Sequence, residues 1–178
     1  MGAYKYGEIR PGRKPLKMQY IKIALFALGR AMQCASFRDP DIADEIRAWP
    51  DGLTVMFKVL PRGPRMAVTK EKNGLVFKGS TVSEADADLI IFFKNIENAF
   101  IVFSGQAGTA QAFAEHRMSL KGDLAVAMTF TRCLNIVQTY LYPKAFARLL
   151  FRRVPHIPFH RKMLNRAVIY LLGIPFGI

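Results

Sequence analysis

The chain has 178 residues, a hydrophobic content of 51% and a formal net charge of +13, which is enough sequence for one domain with a sizeable core. Its two cysteines, Cys34 and Cys133, lack the spacing of a disulfide scaffold or a zinc site and favour a reducing compartment. No apolar stretch reaches the roughly 20 residues that a membrane-spanning helix requires. The composition therefore argues against a disulfide-stabilised, a zinc-binding or a membrane-spanning protein.

The positive charge lies in the two flanks of the chain. The first 38 residues hold eight Lys or Arg and a single acid, Glu8, and no acidic residue follows Asp123. The sequence therefore divides into a basic N-terminal extension with a helix (1–38), a central domain (39–142) and a basic amphipathic C-terminal extension (143–178). This distribution predicts an anionic partner surface, and phosphate is common to lipid headgroups and nucleic acids.

The N-terminal half predicts two helices followed by three strands. Apolar residues at helical spacing predict a helix over Lys17 to Ser36, and Asp39-Pro40 caps a shorter helix from Asp41 to Trp49. From residue 53 onward the apolar period changes to two, which predicts an antiparallel meander with one apolar face. Its strands are Leu53 to Val59, Met66 to Lys70 and Leu75 to Lys78, and the last two are joined by the hairpin signal Asn73-Gly74.

The second half of the central domain predicts strands alternating with helices. A fourth strand, Ala87 to Lys94, is apolar on both faces and should lie inside the sheet. Asn95 then caps a helix that ends at Ser104-Gly105. A helix rich in small residues (Gln106 to Ala114), a fifth strand (Arg117 to Leu120) and a long apolar helix capped by Asp123 follow.

This order of elements resembles the sterol carrier protein type 2 domain family over about Ile42 to Leu141. In that family, a strand that opens with Ala-Asp precedes a helix ending in Gly, an Ala- and Phe-rich segment, and a strand ending in Gly-Asp or Gly-Asn. The corresponding residues here are Ala87-Asp88, Gly105, Ala112-Phe113 and Gly122-Asp123. One departure is His116-Arg117, where the family often has Gly before the strand. A looser similarity, at Pro143-Lys144-Ala145-Phe146, is to bacterial members associated with isoprenoid quinone synthesis.

The resemblance implies an α+β fold with a five-stranded, mostly antiparallel sheet, helices over one face, and a hydrophobic tunnel that holds a lipid. Large apolar residues of the chain suit the wall of such a pocket, although each of them also suits an ordinary core. The predicted lipid-binding residues are Phe57, Phe77, Phe92, Phe100, Phe103, Phe113, Met118, Met128, Phe130 and Leu134.

The sequence predicts no catalytic residue and no metal ligands. His156 and His160 are four residues apart, but Pro158 between them argues against one helical metal-binding face. If Ala85 to Leu89 is extended, Asp86 and Asp88 lie on the same side of the chain, as a pair of acids would. We expect them to keep a strand edge soluble. We therefore expect a protein that is not an enzyme and that needs no cofactor beyond a bound lipid.

The C-terminal extension predicts contact with an anionic membrane. Basic residues recur on one helical face up to Pro155, and a second segment places further basic residues before an apolar run. The predicted membrane-docking residues are Lys144, Arg148, Arg152, Arg153, Arg161, Lys162, Arg166 and Leu171. The alternative is that this extension packs on the domain or on a partner subunit.

The sequence therefore predicts a cytoplasmic, peripherally membrane-associated lipid-binding or lipid-transfer protein. Its ligand would be a long apolar molecule such as a fatty acyl chain, a sterol-like molecule or an isoprenoid quinone. The alternative is a structural subunit that anchors a membrane-associated enzyme complex. Binding to nucleic acid is disfavoured, because the aromatic residues of the flanks lie among aliphatic ones and form no evident stacking platform.

Overall fold

The computed structural model describes residues 14–141 and 159–176, which form one five-stranded sheet and its surrounding helices. The strands are β1 (Thr54–Val59), β2 (Arg65–Glu71), β3 (Gly74–Gly79), β4 (Leu89–Phe93) and β5 (Met118–Lys121). The helices are α1 (Pro15–Arg38), α2 (Pro40–Ile46), α3 (Ile96–Phe103), α4 (Thr109–Ala114), α5 (Leu124–Leu141), α6 (Phe159–Val168) and α7 (Ile174–Phe176). A π-helical segment, Ile169–Gly173, joins α6 to α7.

The strand order in the sheet is β3-β2-β1-β4-β5. All neighbouring pairs are antiparallel except β1 and β4, which are parallel. The predicted α+β class and the mostly antiparallel sheet are therefore confirmed. The predicted hairpin is also confirmed, since Glu71 of β2 pairs with Gly74 of β3 across the turn. The fourth strand is hydrogen-bonded on both sides, as its apolar composition predicted.

Side-chain caps fix the starts of three helices at the predicted residues. The carboxylate of Asp39 accepts a hydrogen bond from the backbone N–H of Asp41, and Asn95 accepts one from Asn98, each at 2.9 Å. Asp123 caps α5 by accepting from Ala125 at 2.6 Å. These contacts satisfy N–H groups that a helix start leaves without a partner.

The small-residue helix begins later than predicted. We expected it from Gln106, but α4 begins at Thr109. The backbone N–H of Gln106 donates to the carbonyl of Ile101 at 2.9 Å, so this residue still belongs to the turn that closes α3. Gly105 adopts a φ of 80° in the same turn.

The two faces of the sheet are covered differently. One face carries alternate residues such as Val55, Phe57 and Val59, which belong to the large core shared with the helices. The opposite face buries a smaller cluster of Met56, Ala67 and Ile90 under Val82, Ala87 and Phe92. Helices therefore cover one face, and the chain around residues 82–87 lies over part of the other.

The Asp88 side chain, just before β4, makes a contact with the start of β1. Its carboxylate accepts a hydrogen bond from the backbone N–H of Thr54 at 2.8 Å. The sequence predicted only a solubilising role for this side chain. In the fold it also fixes the start of β1 beside the parallel strand β4, because it satisfies a strand-end N–H group.

The C-terminal helical stretch packs on α1 and α5. Asn165 donates from Nδ2 to the Tyr140 hydroxyl at 3.4 Å, and that hydroxyl donates to the carboxylate of Asp39. Gly173 lies so close to α1 that a Cβ atom on it would approach the Cβ of Cys34 to 2.8 Å. Within residues 14–141 and 159–176, no helix has the length and apolar character needed to cross a membrane.

Candidate functional site

Several of the predicted lipid-binding residues lie together in the interior of the fold. Phe57, Phe103, Met118, Phe130 and Leu134 are all buried. The Phe57 ring lies 5.6 Å from the ring of Phe130, measured between centroids, and 6.4 Å from that of Phe93. The Phe57 ring therefore packs against both of these rings, within the core that the sheet shares with the helices. A tunnel is not shown by the described residues, and the lipid-binding role of these side chains stays a prediction.

Phe77 and Phe100 lie under α1, away from that central group of rings. Phe77 packs against Phe26, with ring centroids 5.6 Å apart, and the Arg30 guanidinium lies 5.4 Å above its ring. Phe100 packs against Tyr20 at 5.3 Å, with the Lys17 ammonium group 4.9 Å from the ring centroid. Both rings therefore join α1 to the rest of the fold.

Phe92 lies on the opposite face of the sheet from Phe57 and Phe93, because neighbouring strand residues point to opposite faces. There it borders a depression of about 310 Å³ whose lining includes Lys58, Glu84 and Lys121. Lys58 and Glu84 form an ion pair in the lining of this depression. The structure therefore does not bring Phe92 together with the other predicted residues.

The two remaining residues, Phe113 and Met128, lie together in a groove at the surface. The groove runs between α4, β5 and α5 and has a volume of about 490 Å³. Met128 is 57% exposed there, and Leu124, one turn before it on α5, is 63% exposed. The lining residues are Phe113, Leu120, Leu124, Ala127, Met128, Thr131 and Arg132. Large apolar side chains with this exposure, gathered in one concave surface, are typical of a binding site.

The beginning of α5 places these side chains. Asp123 caps the helix, and residues 124, 128 and 131 follow at helical spacing along one side. Gly122 brings the chain there with a φ of 133°, and a Cβ atom on it would lie 2.3 Å from the backbone oxygen of Asp88. A larger residue is therefore excluded at the junction of β5 and α5, which fixes where the helix starts relative to the sheet.

Among the described side chains that line the groove, Arg132 is the one that carries a charge. Its Nε donates to the carboxylate of Glu45 on α2 at 2.6 Å, and this hydrogen bond raises the pKa of the guanidinium group. The ion pair is exposed, so it contributes little to stability. It does place a cation at the rim of an otherwise apolar surface.

The groove offers apolar contact and no evident reactive group. The hydroxyl of Thr131 is engaged by the carbonyl of Ala127 at 2.7 Å. Burial raises the pKa of the Cys133 thiol to about 12, so the thiolate that acts as a nucleophile is suppressed. In the part of the chain that the structure describes, no three His, Cys, Asp or Glu residues form a group suited to a metal ion.

Sequence reasoning missed five of the seven lining residues: Leu120, Leu124, Ala127, Thr131 and Arg132. A signal was available, because Leu124 and Met128 are four apart and lie off the stripe of Ala127, Phe130 and Leu134. That spacing shows that α5 has an apolar side beyond the one the core uses. The pattern alone does not show which side is covered.

The predicted membrane-docking residues fall partly outside the described structure. Lys144, Arg148, Arg152 and Arg153 lie in residues 142–158, which the structure does not describe. Arg161 and Lys162 are in α6, Arg166 is half-buried on the same helix, and Leu171 is 69% exposed in the π-helical segment. Docking by these residues stays a prediction.

No family model matches the chain, and no curated protein matches it. Solved structures that are similar to it include "UbiJ-SCP2 Ubiquinone synthesis protein", with 14% identity, a TM-score of 0.42, and coverage of 69% of this chain and 96% of that one. The sterol carrier protein domain 2 of Helicoverpa armigera has 16% identity and a TM-score of 0.39 over 78% of this chain and 91% of that one.

A third similar structure is Sterol Carrier Protein 2 Like 2 from Aedes aegypti. It has 13% identity and a TM-score of 0.33, over 57% of this chain and 95% of that one. The names of all three structures refer to sterol carrier protein 2, the family that the order of elements in the sequence resembles.

Proposed function

We propose that this protein binds a long apolar ligand without chemical conversion and that the groove between α4, β5 and α5 is the binding site. The observation that supports this is the exposure of Leu124 and Met128, at 63% and 57%, in a concave apolar surface. Water against these side chains is unfavourable, and a ligand that covers them gains roughly 25 cal/mol for each Å² of apolar area buried.

The volume and polarity of the groove define the ligand class. Its volume of about 490 Å³ falls within the range of small-molecule sites, roughly 300–1,000 Å³. Phe113 and Leu120 form its inner wall, where they pack against the core. Arg132 at the rim suits a ligand with a polar or anionic end. Fatty acyl chains, sterol-like molecules and isoprenoid quinones with an apolar body meet these requirements.

The site works by shape and apolar area, so no catalytic group is part of the proposal. The protein would act in the cytoplasm and take up or release its ligand at an anionic membrane, where the basic flanks hold it transiently. Each basic residue near such a surface contributes about 1 kcal/mol. The C-terminal residues from Lys144 onward are proposed to take part in that contact.

Bound lipid in the purified protein is the first test. Native mass spectrometry of the full chain, followed by solvent extraction, should find a lipid-sized adduct that extraction removes. The delipidated protein should then bind a pyrene-labelled fatty acid, and an unlabelled isoprenoid quinone or fatty acid should compete. If the protein carries no lipid and binds neither probe, the proposal is wrong.

Acidic substitutions in the groove locate the site. We expect Leu124→Asp and Met128→Asp to weaken binding of the pyrene-labelled fatty acid by at least about tenfold, because the ligand would have to cover a carboxylate. Ile23→Asp is the matched control, since Ile23 is 60% exposed and lies on α1 outside the groove. Equal affinity of all three variants and the natural chain would show that the ligand binds elsewhere.

A further inference from the structure

The face of the sheet opposite the large core carries an unusual group of cations. We call it the outer sheet face and define it by the small buried cluster that contains Ile90. Lys58 of β1 and Arg65 of β2 lie directly opposite each other on this face, and Lys121 of β5 is paired there with Ile90. Like charges directly opposite each other destabilise a sheet, so the Lys58 and Arg65 pair is unfavourable unless an anion lies nearby.

These cations adjoin a depression with an apolar floor. The depression has a volume of about 310 Å³, and Leu60, Ile90 and Phe92 supply apolar surface to its lining. Lys58 and Lys121 belong to the same lining, and they approach it from opposite sides because β4 lies between β1 and β5. A concave apolar surface with a few charged groups is typical of a small-molecule site, and this volume is at the lower end of the usual range.

Glu84 is the acid in the lining of this depression. It forms an ion pair with Lys58. The hydrogen bond from Lys58, together with the charges of Lys58, Arg65 and Lys121, lowers the pKa of this carboxyl below its ordinary value, so all three cations act on one place. Among the described residues, neither Arg65 nor Lys121 forms an ion pair. Two of the three positive charges are therefore left without an acidic partner.

The other acidic residues near the outer sheet face do not supply the missing charge. The carboxylate of Asp88 accepts a hydrogen bond from the backbone N–H of Thr54, at the start of β1. Glu71 forms an ion pair with Lys78 at 2.7 Å, and Asp86 is not part of the lining of the depression. The positive charge at the depression is therefore available to a ligand.

We propose that this depression binds a phosphate monoester whose apolar part lies on Ile90 and Phe92. The two unpaired positive charges match a phosphate monoester, which carries about −1.5 to −2 at neutral pH. Lysine and arginine both bind phosphate through charge-assisted hydrogen bonds. The phosphate would compete with the carboxylate of Glu84 for Lys58. This site is on the other side of the sheet from the groove of α4, β5 and α5, and it does not depend on the lipid ligand proposed above.

Titration of the full chain with phenyl phosphate, followed by amide NMR spectra, tests the site. Phenyl phosphate should give saturable shifts at Lys58, Phe92 and Lys121. Its affinity should exceed those of inorganic phosphate and of benzyl alcohol by at least about tenfold, because each control lacks one half of the recognised group. If inorganic phosphate binds as tightly, or if the shifts do not saturate, the proposal is wrong.

Variants of the exposed charges have opposite expected signs. Arg65→Gln and Lys121→Gln should each weaken phenyl phosphate binding about threefold or more, because each removes one cation. Glu84→Gln should tighten it by a similar factor, since the competing carboxylate is lost. Lys72→Gln is the matched control, because Lys72 is exposed in the turn between β2 and β3 and is not in the lining. An equal effect of Lys72→Gln, or weaker binding by Glu84→Gln, would overturn the proposal.

Two further comparisons separate this site from the groove and identify the source of the phosphate. Lys121→Gln should keep the affinity for the pyrene-labelled fatty acid, and Met128→Asp should keep that for phenyl phosphate. The double variant Arg65→Gln/Lys121→Gln should lose phenyl phosphate binding by at least about tenfold. If it also loses binding to vesicles that contain phosphatidic acid, the phosphate is lipid-borne, and if vesicle binding is unchanged, the ligand is soluble. Unchanged phenyl phosphate binding by the double variant would refute the site.

Discussion

Truncation of Phe130 to alanine tests whether the interior of this fold is filled by its own side chains. Phe130 is fully buried on α5, and its ring lies 5.6 Å from that of Phe57 and 6.2 Å from that of Trp49. In a closely packed core, Phe→Ala lowers the free energy of unfolding by about 3–5 kcal/mol, through lost burial and the cavity that remains. A ring that bordered a lipid-filled space would lose fewer packing contacts.

Urea unfolding of the delipidated full chain, followed by circular dichroism, measures this loss. With a slope of about 2 kcal/mol per molar urea, a loss of about 4 kcal/mol lowers the midpoint by about 2 M. Met128→Ala is the control on the same helix, because Met128 is 57% exposed. Its midpoint should change by less than about 0.5 M. A shift that small for Phe130→Ala would refute the packed interior and favour an internal lipid-filled space.

Three further changes test particular backbone and side-chain positions. Gly122→Ala should lower the free energy of unfolding by about 2 kcal/mol or more, because the new Cβ would lie 2.3 Å from the backbone oxygen of Asp88. Gly52→Ala is the control and should lower it less, since Gly52 has a φ of 92° but open space around it. Equal urea midpoints for the two variants would contradict this reasoning. His116→Gly should raise the free energy of unfolding by up to about 1 kcal/mol, because His116 has a φ of 53° that glycine adopts without strain. A lower urea midpoint for this variant would contradict the strain. Cys133 should resist Ellman's reagent until the protein unfolds, and rapid labelling of the native chain would contradict its burial. The free energy of unfolding should fall as the pH rises from about 9 towards 12, because the buried thiol keeps a proton that the unfolded chain loses. A Cys133→Ala variant should show a shallower fall.

The order and type of the elements could be predicted from the sequence because their causes are local. Asp39, Asn95 and Asp123 cap helices through hydrogen bonds to residues two or three positions away. Asn73-Gly74 supplies the turn that pairs β2 with β3. The apolar character of residues 89–93 also placed β4 inside the sheet, since both of its faces have to be covered.

The backbone conformation of His116 was not predicted from the sequence, which gave this residue only as a departure from a family pattern. The sequence has His116 where that family often has a glycine, and His116 adopts a φ of 53° in this fold. A left-handed backbone at the turn before β5 explains why glycine is suitable there. In this chain the turn adopts that conformation with a histidine.

Only the tertiary structure decided which apolar residues are covered. Phe130 and Met128 are two residues apart on α5, yet the first is fully buried and the second is 57% exposed. Apolar periodicity identifies the sides of a helix, but their burial depends on distant segments that pack against them. The side of α5 that carries Leu124 and Met128 remains open beside α4, a helix of six residues. The same distant packing brings α1 and the C-terminal stretch together. The sequence therefore determined the elements and the basic flanks, and the fold determined the groove.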